Sequence, residues 1–466
     1  MPEGAGAVPG EGRTPATVVI RGGTVVDAHG ARRADVVVSG GTFVDVSPRV
    51  EIRSGAAELD AGGCLVTPGL VDLHAHLRQP GDEEAETVET ASRAAALGGF
   101  TAVVAMPNTD PPVDSAAVAH EVLDLAAGAM CHVAVAGAIT VGRAGEHLAP
   151  MRELAALGVR LFTDDGTGVQ DPGVMRRALE YARGLGVTLA QHCEDRSLAG
   201  GGHMHEGAWS SRLGVPGVPS EAEELMVGRD IALCRLTGGR VHFLHLSTAR
   251  SVALVAAAKA EGLPVSAEVT PHHLTLTDAE LAGFDPVFKV NPPLRTAADV
   301  GALRDACARG IVDAVATDHA PHPAEKKDAP LDTAAPGMLG LQTALPVTLG
   351  ALGATPSGRN GHASGAPGDA REPVMDVRDV LALLSWLPAH IAGLARQQGG
   401  DQGGPIEAGA PANLCVFDPT AKWTLDEAAI ASRSRNTPWL GRVLVGQVRH
   451  TLYRGDPVVV DGEARR

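Results

Sequence analysis

The chain has 466 residues, of which 44% are hydrophobic and 20% charged, and its formal net charge is −16. This acidic excess argues against nucleic acid or an anionic membrane as the main partner, although a local cation can still bind an anionic substrate. The length exceeds what one ordinary compact core needs, so we expect a large domain with a smaller satellite.

The chain begins with a Gly-, Pro- and Glu-rich stretch, residues 1–15, which lacks the basic start and apolar middle of a signal peptide. We interpret it as a disordered tail. No apolar run is long enough to cross a bilayer, and the six scattered cysteines contain no C-x-x-C pair. These features predict a protein of the reducing cytoplasm that binds neither membrane nor nucleic acid.

Short β patterns lie at both ends of the chain. Residues 16–65 contain TVVIRGGTVVDA and ADVVVSGGTFVDVS, and residues 406–466 contain ANLCVFD and VGQVRHTLYRGDPVVVDG. Neither segment has enough apolar surface to fold alone. We therefore predict that the two segments pair into one small β-sandwich-like module.

Residues 66–405 change to apolar strands that alternate with Ala- and Leu-rich helical stretches, which is the pattern of repeated βα units. A Gly- and Ser-rich stretch at 351–372 is expected to be a flexible insertion. The predicted fold class is α/β, a (β/α)8 TIM-like barrel that carries the small module. The eight strand candidates are, in order, LVTPGLVDLHAH, TAVVAM, HVAVAGAIT, VRLFTD, VTLAQHC, RVHFLHLS, VSAEVTPHH and VDAVATDHA.

Functional groups of such a barrel belong at the C-terminal ends of its strands. His74 and His76 are two residues apart on a strand, so both side chains leave the same face and can reach one metal ion. Imidazole and carboxylate ligands suit Zn²⁺ with an open position for water. Five of the eight predicted strands end in His or Asp, in the segments DLHAH (72–76), FTDDG (162–166), QHCE (191–194), HLS (245–247) and TDHAPH (317–322).

Each of these motifs alone has an ordinary structural explanation. A lone histidine at a strand end, such as His192 or His245, is more often a core residue than a ligand. Asp164-Asp165-Gly166 alone suits a turn or a helix cap. A structural role does not easily explain why five strand ends place ligand-type side chains at one mouth, so the metal interpretation is favoured.

The long segment PGLVDLHAHLRQPGDEEAETVETASRAAALGGFTAVVAMPNTDP resembles the dihydroorotases of the amidohydrolase superfamily, and so do FTDDG, HCED, HLST, AEVTPHH, NPPLR, ATDHAPH and SRSRNTPWLG, in the same order. Related enzymes bridge two metals with a carboxylated lysine on strand 4, but here no lysine precedes Lys259. The resemblance therefore implies the aspartate-bridged branch, with Asp165 as the bridge and Asp164 as the second choice. The implied ligands of one or two Zn²⁺ ions are His74, His76, Asp165, His192, His245 and Asp318.

The resemblance also implies the reaction, the reversible cyclisation of N-carbamoyl-L-aspartate to dihydroorotate in pyrimidine (UMP) biosynthesis. A zinc-bound hydroxide would attack the ring amide, with Asp318 as general base and then general acid. Arg78 matches the family's carboxylate-binding arginine, and a guanidinium suits a bidentate pair there. The further expected substrate contacts are Asn108, Asn291, His322, Pro336 and Gly337. The nearby His272, His273 and His319 are expected to have structural or supporting roles.

Two other functions stay open. Another cyclic amide hydrolase, such as an allantoinase or hydantoinase, is disfavoured because the bridge lysine is missing and Arg78 is present. An inactive dihydroorotase-like scaffold for aspartate carbamoyltransferase would have lost metal ligands, whereas this chain keeps all six. The resemblance leaves open a homodimer, and also the association of an active enzyme with aspartate carbamoyltransferase.

Overall fold

The computed structural model describes residues 17–51, 55–354 and 374–465. The predicted tail at 1–15 lies outside these ranges, as does the predicted insertion at 351–372 except for its first four residues. Up to residue 68 the described chain forms short strands, namely β1 (Val18–Arg21), β2 (Thr24–Asp27), β3 (Gly30–Arg33), β4 (Asp35–Ser39), β5 (Thr42–Ser47), β6 (Ala57–Asp60) and β7 (Leu65–Pro68).

The barrel begins directly after β7. The predicted strand LVTPGLVDLHAH is in fact two strands in two sheets, separated by Gly69, where a Cβ atom would collide with Thr101. The next strands are β8 (Leu70–Ala75), β9 (Phe100–Ala105), β10 (His132–Val135), β11 (Leu161–Phe162), β12 (Thr188–Gln191), β13 (Met204–His205), β14 (Gly217–Val218), β15 (Arg240–Phe243), β16 (Val265–Val269) and β17 (Ala314–Val315).

Within the described residues, eight of these strands form a closed parallel ring, and β13 and β14 form a separate pair. Strands β8, β9 and β10 make one sheet, and β11, β12, β15, β16 and β17 make another, all in parallel register. The parallel bridges Gly137–Phe162 and Ala75–His319 join the two sheets on both sides. The predicted (β/α)8 barrel is confirmed.

Helices follow the barrel strands, and α4 illustrates why they start and stop where they do. The Asp171 side chain accepts a hydrogen bond from the Val174 backbone, Pro172 takes the first helical position, and Gly186 ends the helix with a φ of 70°. The α-helices of the described residues are α1 (Val88–Leu97), α2 (Ala116–Leu125), α3 (Met151–Ala156), α4 (Pro172–Leu185), α5 (Arg196–Ala199), α6 (Ala208–Leu213), α7 (Glu221–Thr237), α8 (Ala249–Ala260), α9 (Ala297–Ala308), α10 (Ala324–Lys327), α11 (Ala344–Ala351), α12 (Val377–Leu384) and α13 (Trp386–Ile391).

Strands from both ends of the chain share one sheet. In this sheet the four C-terminal strands lie in reverse chain order beside β7, β2 and β3, and the sheet faces a four-stranded sheet of order β5-β4-β1-β6 across a common buried cluster that includes Ile20 and Val416. The domain boundaries at 65/66 and 405/406 stay a prediction, and β7 crosses the first of them. The C-terminal strands are β18 (Leu414–Thr424), β19 (Val443–Tyr453), β20 (Asp456–Val460) and β21 (Glu463–Ala464).

The inside of the barrel is filled with buried apolar side chains, among them Leu73, Val104, Leu161 and Leu244. The ring is therefore a packed core rather than a pore. None of the helices in the described ranges is both long and apolar enough to span a membrane.

Candidate active site

The six residues predicted as metal ligands converge at the C-terminal mouth of the barrel. Two sets of ligand atoms each lie within 4.8 Å of one another, one from His74, Asp165 and His245 and the other from His74, His76 and Asp318. All of these side chains are buried. They belong to strands far apart in sequence, which only the closed ring brings together.

Asp165 lies at the centre of this cluster. Its Oδ1 is 3.4 Å from His74 Nε2 and 3.6 Å from both His192 Nδ1 and His245 Nε2, and its Oδ2 is 3.6 Å from His76 Nε2. One carboxylate thus reaches four imidazoles that follow three different strands. Asp165 is thus placed among the predicted histidine ligands.

Asp164, the second choice for the bridge, has other partners. Its Oδ1 accepts hydrogen bonds from the backbone of Ile139 at 2.8 Å and of Thr140 at 3.0 Å, and the Thr140 hydroxyl donates to Oδ2. Asp164 therefore anchors the loop after β10, whereas Asp165 is directed at the histidines.

Opposite charges in the cluster stabilise one another. Burial alone would raise the pKa of Asp165 and of Asp318, but the nearby His74 and its neighbours hold both below the usual range. Burial alone would lower the pKa of His74, but Asp165 and Asp318 raise it well above its ordinary value. Both carboxylates are therefore ionised at neutral pH, which is the form that binds a cation or accepts a proton.

The unsatisfied polar atoms of the cluster test whether a metal ion would fit. His74 Nε2, His192 Nε2 and Asp165 Oδ1 are buried and have no hydrogen-bond partner among the described residues. His192 Nδ1 lies 2.9 Å from His245 Nε2, a close approach of two nitrogens that repel unless a proton or a cation lies between them. Leaving a buried polar atom such as His74 Nε2 or Asp165 Oδ1 without a hydrogen-bond partner costs about 1–3 kcal/mol. The donor set therefore fits a bound metal ion.

Three residues of this region have left-handed backbone conformations that non-glycine residues rarely adopt. The φ angles are 62° at Arg78, 31° at His245 and 45° at Asp318. Strain of this kind persists only where the surroundings enforce it, and it concentrates at functional sites. Its presence here supports a functional role for these loops.

His74 is held by a buried chain of hydrogen bonds that crosses the barrel interior. Its Nδ1 lies 2.9 Å from Glu268 Oε1, Glu268 Oε2 lies 3.0 Å from His242 Nε2, and His242 Nδ1 lies 2.8 Å from Ser266 Oγ. Burial would raise the pKa of Glu268, but hydrogen bonds from His242 and His74 lower it to about 2. Ionised Glu268 can only accept, so His74 donates from Nδ1 and presents Nε2 to the cluster. Sequence analysis did not identify Glu268 or His242.

Asp72 joins the first and last barrel strands beside the cluster. Its Oδ1 accepts from the Thr317 backbone at 2.8 Å and from the His74 backbone at 3.3 Å, and its Oδ2 accepts from the Thr317 hydroxyl at 2.6 Å. Burial raises the pKa of this carboxyl to about 7 in spite of these bonds. Asp72 therefore fixes where the strand that leads to Asp318 meets β8.

Replacing Asp72 with Ala is expected to lower the free energy of unfolding by about 3 kcal/mol, because buried donors of Thr317 lose their acceptor. Asp72→Asn keeps one acceptor oxygen and should cost less. Urea unfolding of the two variants beside the parent chain measures the difference. Equal stability of all three proteins would contradict this role.

Arg78, His322 and Pro336, three of the predicted substrate residues, form a linked group beside the cluster. Arg78 Nε donates to the Pro321 carbonyl at 3.2 Å, and His322 Nε2 donates to the Pro336 carbonyl at 2.8 Å. Burial, followed by the charge of Arg78, lowers the pKa of His322 to about 3 and also lowers that of His76. The positive charge of Arg78 thus acts on His76 in the cluster and on His322 in the loop after β17.

The other predicted substrate residues lie in the same region. Asn108 Oδ1 lies 2.9 Å from His76 Nδ1, so this amide supports a cluster imidazole. Asn291 and Pro336 line one cavity of about 430 Å³. Gly337 has a φ of 138°, and a Cβ atom there would collide with the adjacent loop, which explains the glycine.

Two buried lysines, which sequence analysis did not single out, hold this loop in place. Lys327 Nζ donates to the carbonyls of Lys289 at 3.0 Å, Ala335 at 2.9 Å and Gly337 at 2.8 Å. Lys289 Nζ donates to the Leu331 carbonyl at 2.7 Å. Lysine is scarce in this chain, but nothing in the sequence marks these two lysines as buried.

The motif SRSRNTPWLG contributes a further support. Asn436 Nδ2 donates to the carbonyls of Ala320 at 2.9 Å and Gly337 at 3.1 Å, and its Oδ1 accepts from the His322 backbone at 3.1 Å. Asn436 therefore ties the loop after β17 to the loop that carries Gly337.

The three additional histidines are buried near the site. His273 Nε2 donates to the Pro292 carbonyl at 3.0 Å, and His319 Nε2 lies 3.3 Å from Glu86 Oε2. His272 Nε2 has no hydrogen-bond partner in the described part of the chain. The contacts of His273 and His319 are of the structural kind that was expected.

Comparisons with known proteins agree with this geometry. Residues 63–251 match the family described as dihydro-orotase-like. The chain is 48% identical to a dihydroorotase of Anaeromyxobacter dehalogenans, over 97% of this chain and 95% of that protein. It is also 48% identical to a dihydroorotase of Mycobacterium tuberculosis, over 90% of this chain and 93% of the relative.

Solved structures share the fold at lower identity. An L-hydantoinase (dihydropyrimidinase) from Arthrobacter aurescens superimposes with a TM-score of 0.82 at 24% identity, covering 96% of this chain and 97% of that one. A dihydropyrimidinase from Brevibacillus agri gives a TM-score of 0.80 at 23% identity, covering 96% of each chain. At this identity the likeness concerns the fold alone.

Proposed function

The chain belongs to the dihydroorotase family of cyclic amide hydrolases, and from this premise we propose that it interconverts dihydroorotate and N-carbamoyl-L-aspartate at the mouth of its barrel. The observation that carries the proposal is the convergence of four buried imidazoles and two buried, ionised carboxylates beside an arginine. The cyclisation direction serves pyrimidine biosynthesis.

We assign Zn²⁺, as one or two ions, to the cluster. Buried nitrogen and oxygen donors without hydrogen-bond partners support this assignment, because they are the ligand types that Zn²⁺ prefers. When bound in such a site, zinc polarises a carbonyl and makes water a competent nucleophile at neutral pH. The residues that would hold it are His74, His76, Asp165, His192, His245 and Asp318.

Asp318 is proposed to move the proton. Its Oδ1 lies 3.0 Å from His76 Nε2 and 3.5 Å from His74 Nε2, and these imidazoles keep its pKa below the usual range. An ionised carboxylate at this position can accept a proton from the attacking water and return it to the departing ring nitrogen. In the cyclisation direction the same carboxylate accepts the proton of the attacking nitrogen and returns it to the departing carboxylate oxygen as the C–O bond breaks.

Arg78 is proposed to bind the substrate carboxylate, and Asn108, Asn291, His322, Pro336 and Gly337 to orient the ring. Arg78 uses its Nε to hold the Pro321 carbonyl, which leaves the two Nη groups for a bidentate pair. Neutral rings such as hydantoin or allantoin lack this carboxylate. Arg78 therefore favours dihydroorotate over the substrates of the other cyclic amide hydrolases.

Replacing Arg78 with Ala is expected to raise KM for dihydroorotate by about 10- to 100-fold with little change in kcat, since a charge-assisted pair contributes about 1.5–3 kcal/mol. Arg78→Lys keeps the charge but loses the planar guanidinium, so its KM should lie between that of the parent chain and that of Arg78→Ala. Steady-state kinetics measures both parameters. A loss confined to kcat would instead place Arg78 in the chemical step.

The test of the whole proposal is a substrate panel combined with metal analysis. Protein purified with zinc is expected to hold one or two ions per chain and to turn over dihydroorotate faster than allantoin or hydantoin. Faster turnover of a neutral ring would favour another cyclic amide hydrolase. Zinc-free, inactive protein in spite of supplied zinc would favour a scaffold for aspartate carbamoyltransferase.

The assemblies and the location expected from the sequence stay predictions. They are a homodimer, association with aspartate carbamoyltransferase and a cytoplasmic location.

A further inference from the structure

A second cavity lies at the opposite end of the barrel from the candidate active site. Its volume is about 340 Å³, within the range of roughly 300–1,000 Å³ typical of small-molecule sites. The first residues of β12 and β15, Thr188 and Arg240, line one side, and His390 and Ile391 of α13 line the other. We call it the basal cavity. None of the residues assigned above to metal or substrate lines it.

Two arginines in the wall of the basal cavity have no acidic partner. Arg160 Nη1 donates to the carbonyls of Ala155 at 2.9 Å and Val159 at 3.0 Å, and Arg240 Nη2 donates to the Gly186 carbonyl. Neither guanidinium forms an ion pair with a carboxylate of the described chain. Both arginines are exposed, and the carbonyls hold their side chains in position without neutralising them.

The single carboxylate that lines the basal cavity is already neutralised. Both oxygens of Asp313 lie 2.6 Å from Lys259 Nζ, and Oδ2 also accepts from the Ala267 backbone at 2.9 Å. Asp313 therefore does not neutralise the charge of Arg160 or Arg240, and the wall presents two positive charges to any ligand in the cavity.

The remainder of the wall is mixed, with the polar residues Thr188, Ser266, His390 and Gln398 beside four apolar side chains. Pro264, Val265, Leu387 and Ile391 line it, and Leu387 leaves 39% of its surface exposed. An occupant that matches this wall needs an anionic group for the arginines and an apolar body for the opposite side. A dianion neutralises both charges at once, and guanidinium groups bind phosphate oxygens through paired hydrogen bonds.

We propose that the basal cavity is a second ligand site, which binds a small phosphate monoester. Its phosphate is held by Arg160 and Arg240, and its apolar part packs on Pro264, Val265 and Ile391.

Calorimetric titration of the full chain with phenyl phosphate, inorganic phosphate and phenol tests this proposal. Phenyl phosphate is expected to bind at least about 10-fold more tightly than inorganic phosphate, and phenol not measurably, since each tenfold step corresponds to about 1.4 kcal/mol. The double variant Arg160→Gln/Arg240→Gln should weaken phenyl phosphate binding at least about 10-fold. Arg449→Gln is the matched control, because Arg449 is paired with Asp461 on the distant C-terminal sheet, and it should bind as the parent does.

Absence of binding to the parent chain would overturn the proposal, and so would full binding by the double variant, which would place the ligand elsewhere. Equal affinity for inorganic phosphate and phenyl phosphate would overturn the part of the proposal that packs an apolar body of the ligand on the cavity wall. Leu387→Trp covers the case in which the double variant does not fold. It keeps both charges but narrows the apolar side of the cavity, so it should weaken phenyl phosphate binding at least about 10-fold, and unchanged binding would overturn the proposal.

Discussion

Asp318→Asn is expected to lower kcat by about 10³-fold while dihydroorotate still binds, because an amide keeps the size and one oxygen of the carboxylate but cannot accept a proton. The side chain is buried and ionised between His74 and His76, so no bulk water replaces its function. Initial rates of cyclisation and calorimetric binding of dihydroorotate measure the two quantities.

Zinc content separates the proton role of Asp318 from its role as a ligand. The Asn variant should retain most of its zinc, since an amide oxygen can still coordinate. Asp328→Asn, an exposed aspartate on the following loop, serves as the control and should behave as the parent. Normal turnover by Asp318→Asn would refute the acid–base assignment. Loss of zinc in proportion to the loss of activity would show that Asp318 acts only as a metal ligand.

Asp165→Asn is expected to weaken zinc binding by about 100-fold or more, beyond the 10- to 100-fold effects of residues that only support ligands. The substitution removes the negative charge that four imidazoles share at 3.4–3.6 Å. The amide that replaces the carboxylate either places its NH2 group against the histidine ring nitrogens or leaves those nitrogens without a hydrogen-bond partner. Zinc affinity is measured by competition with a chromogenic chelator.

The neighbouring aspartate provides a matched control for this variant. Asp164→Asn makes the same chemical change one residue away, at a side chain that binds only Ile139 and Thr140. It should keep parental zinc affinity and lower the free energy of unfolding by about 1–2 kcal/mol. The reverse outcome, with zinc lost from Asp164→Asn and kept by Asp165→Asn, would exchange the two assignments.

Local sequence patterns were sufficient for the barrel and for the group of His and Asp side chains at its mouth. Apolar strands alternate with capped helices at regular intervals, and the strand ends carry His and Asp in recognisable motifs. The pattern did not show that LVTPGLVDLHAH divides at Gly69. Both halves are equally apolar, and only pairing with β18 on one side and β9 on the other separates them.

Sequence analysis did not identify the residues that position other site residues. Glu268 and His242 lie inside apolar strands, and Lys327 is the last residue of the short polar helix α10. In sequence they cannot be told from an isolated buried polar group or a solvated lysine. Their roles depend on partners far along the chain, such as His74 for Glu268 and Gly337 for Lys327.

The sequence by itself determined which side chains are available for chemistry, because strand period and motif order depend on neighbours in the chain. Only the tertiary structure decided which of them share a centre. Closing the ring brings Asp318 against His76, 242 residues away, and turns Asp165 toward the imidazoles while Asp164 faces a loop. That choice rests on side-chain direction and on the desolvation of charges in a common interior, and neither is a property of a local segment.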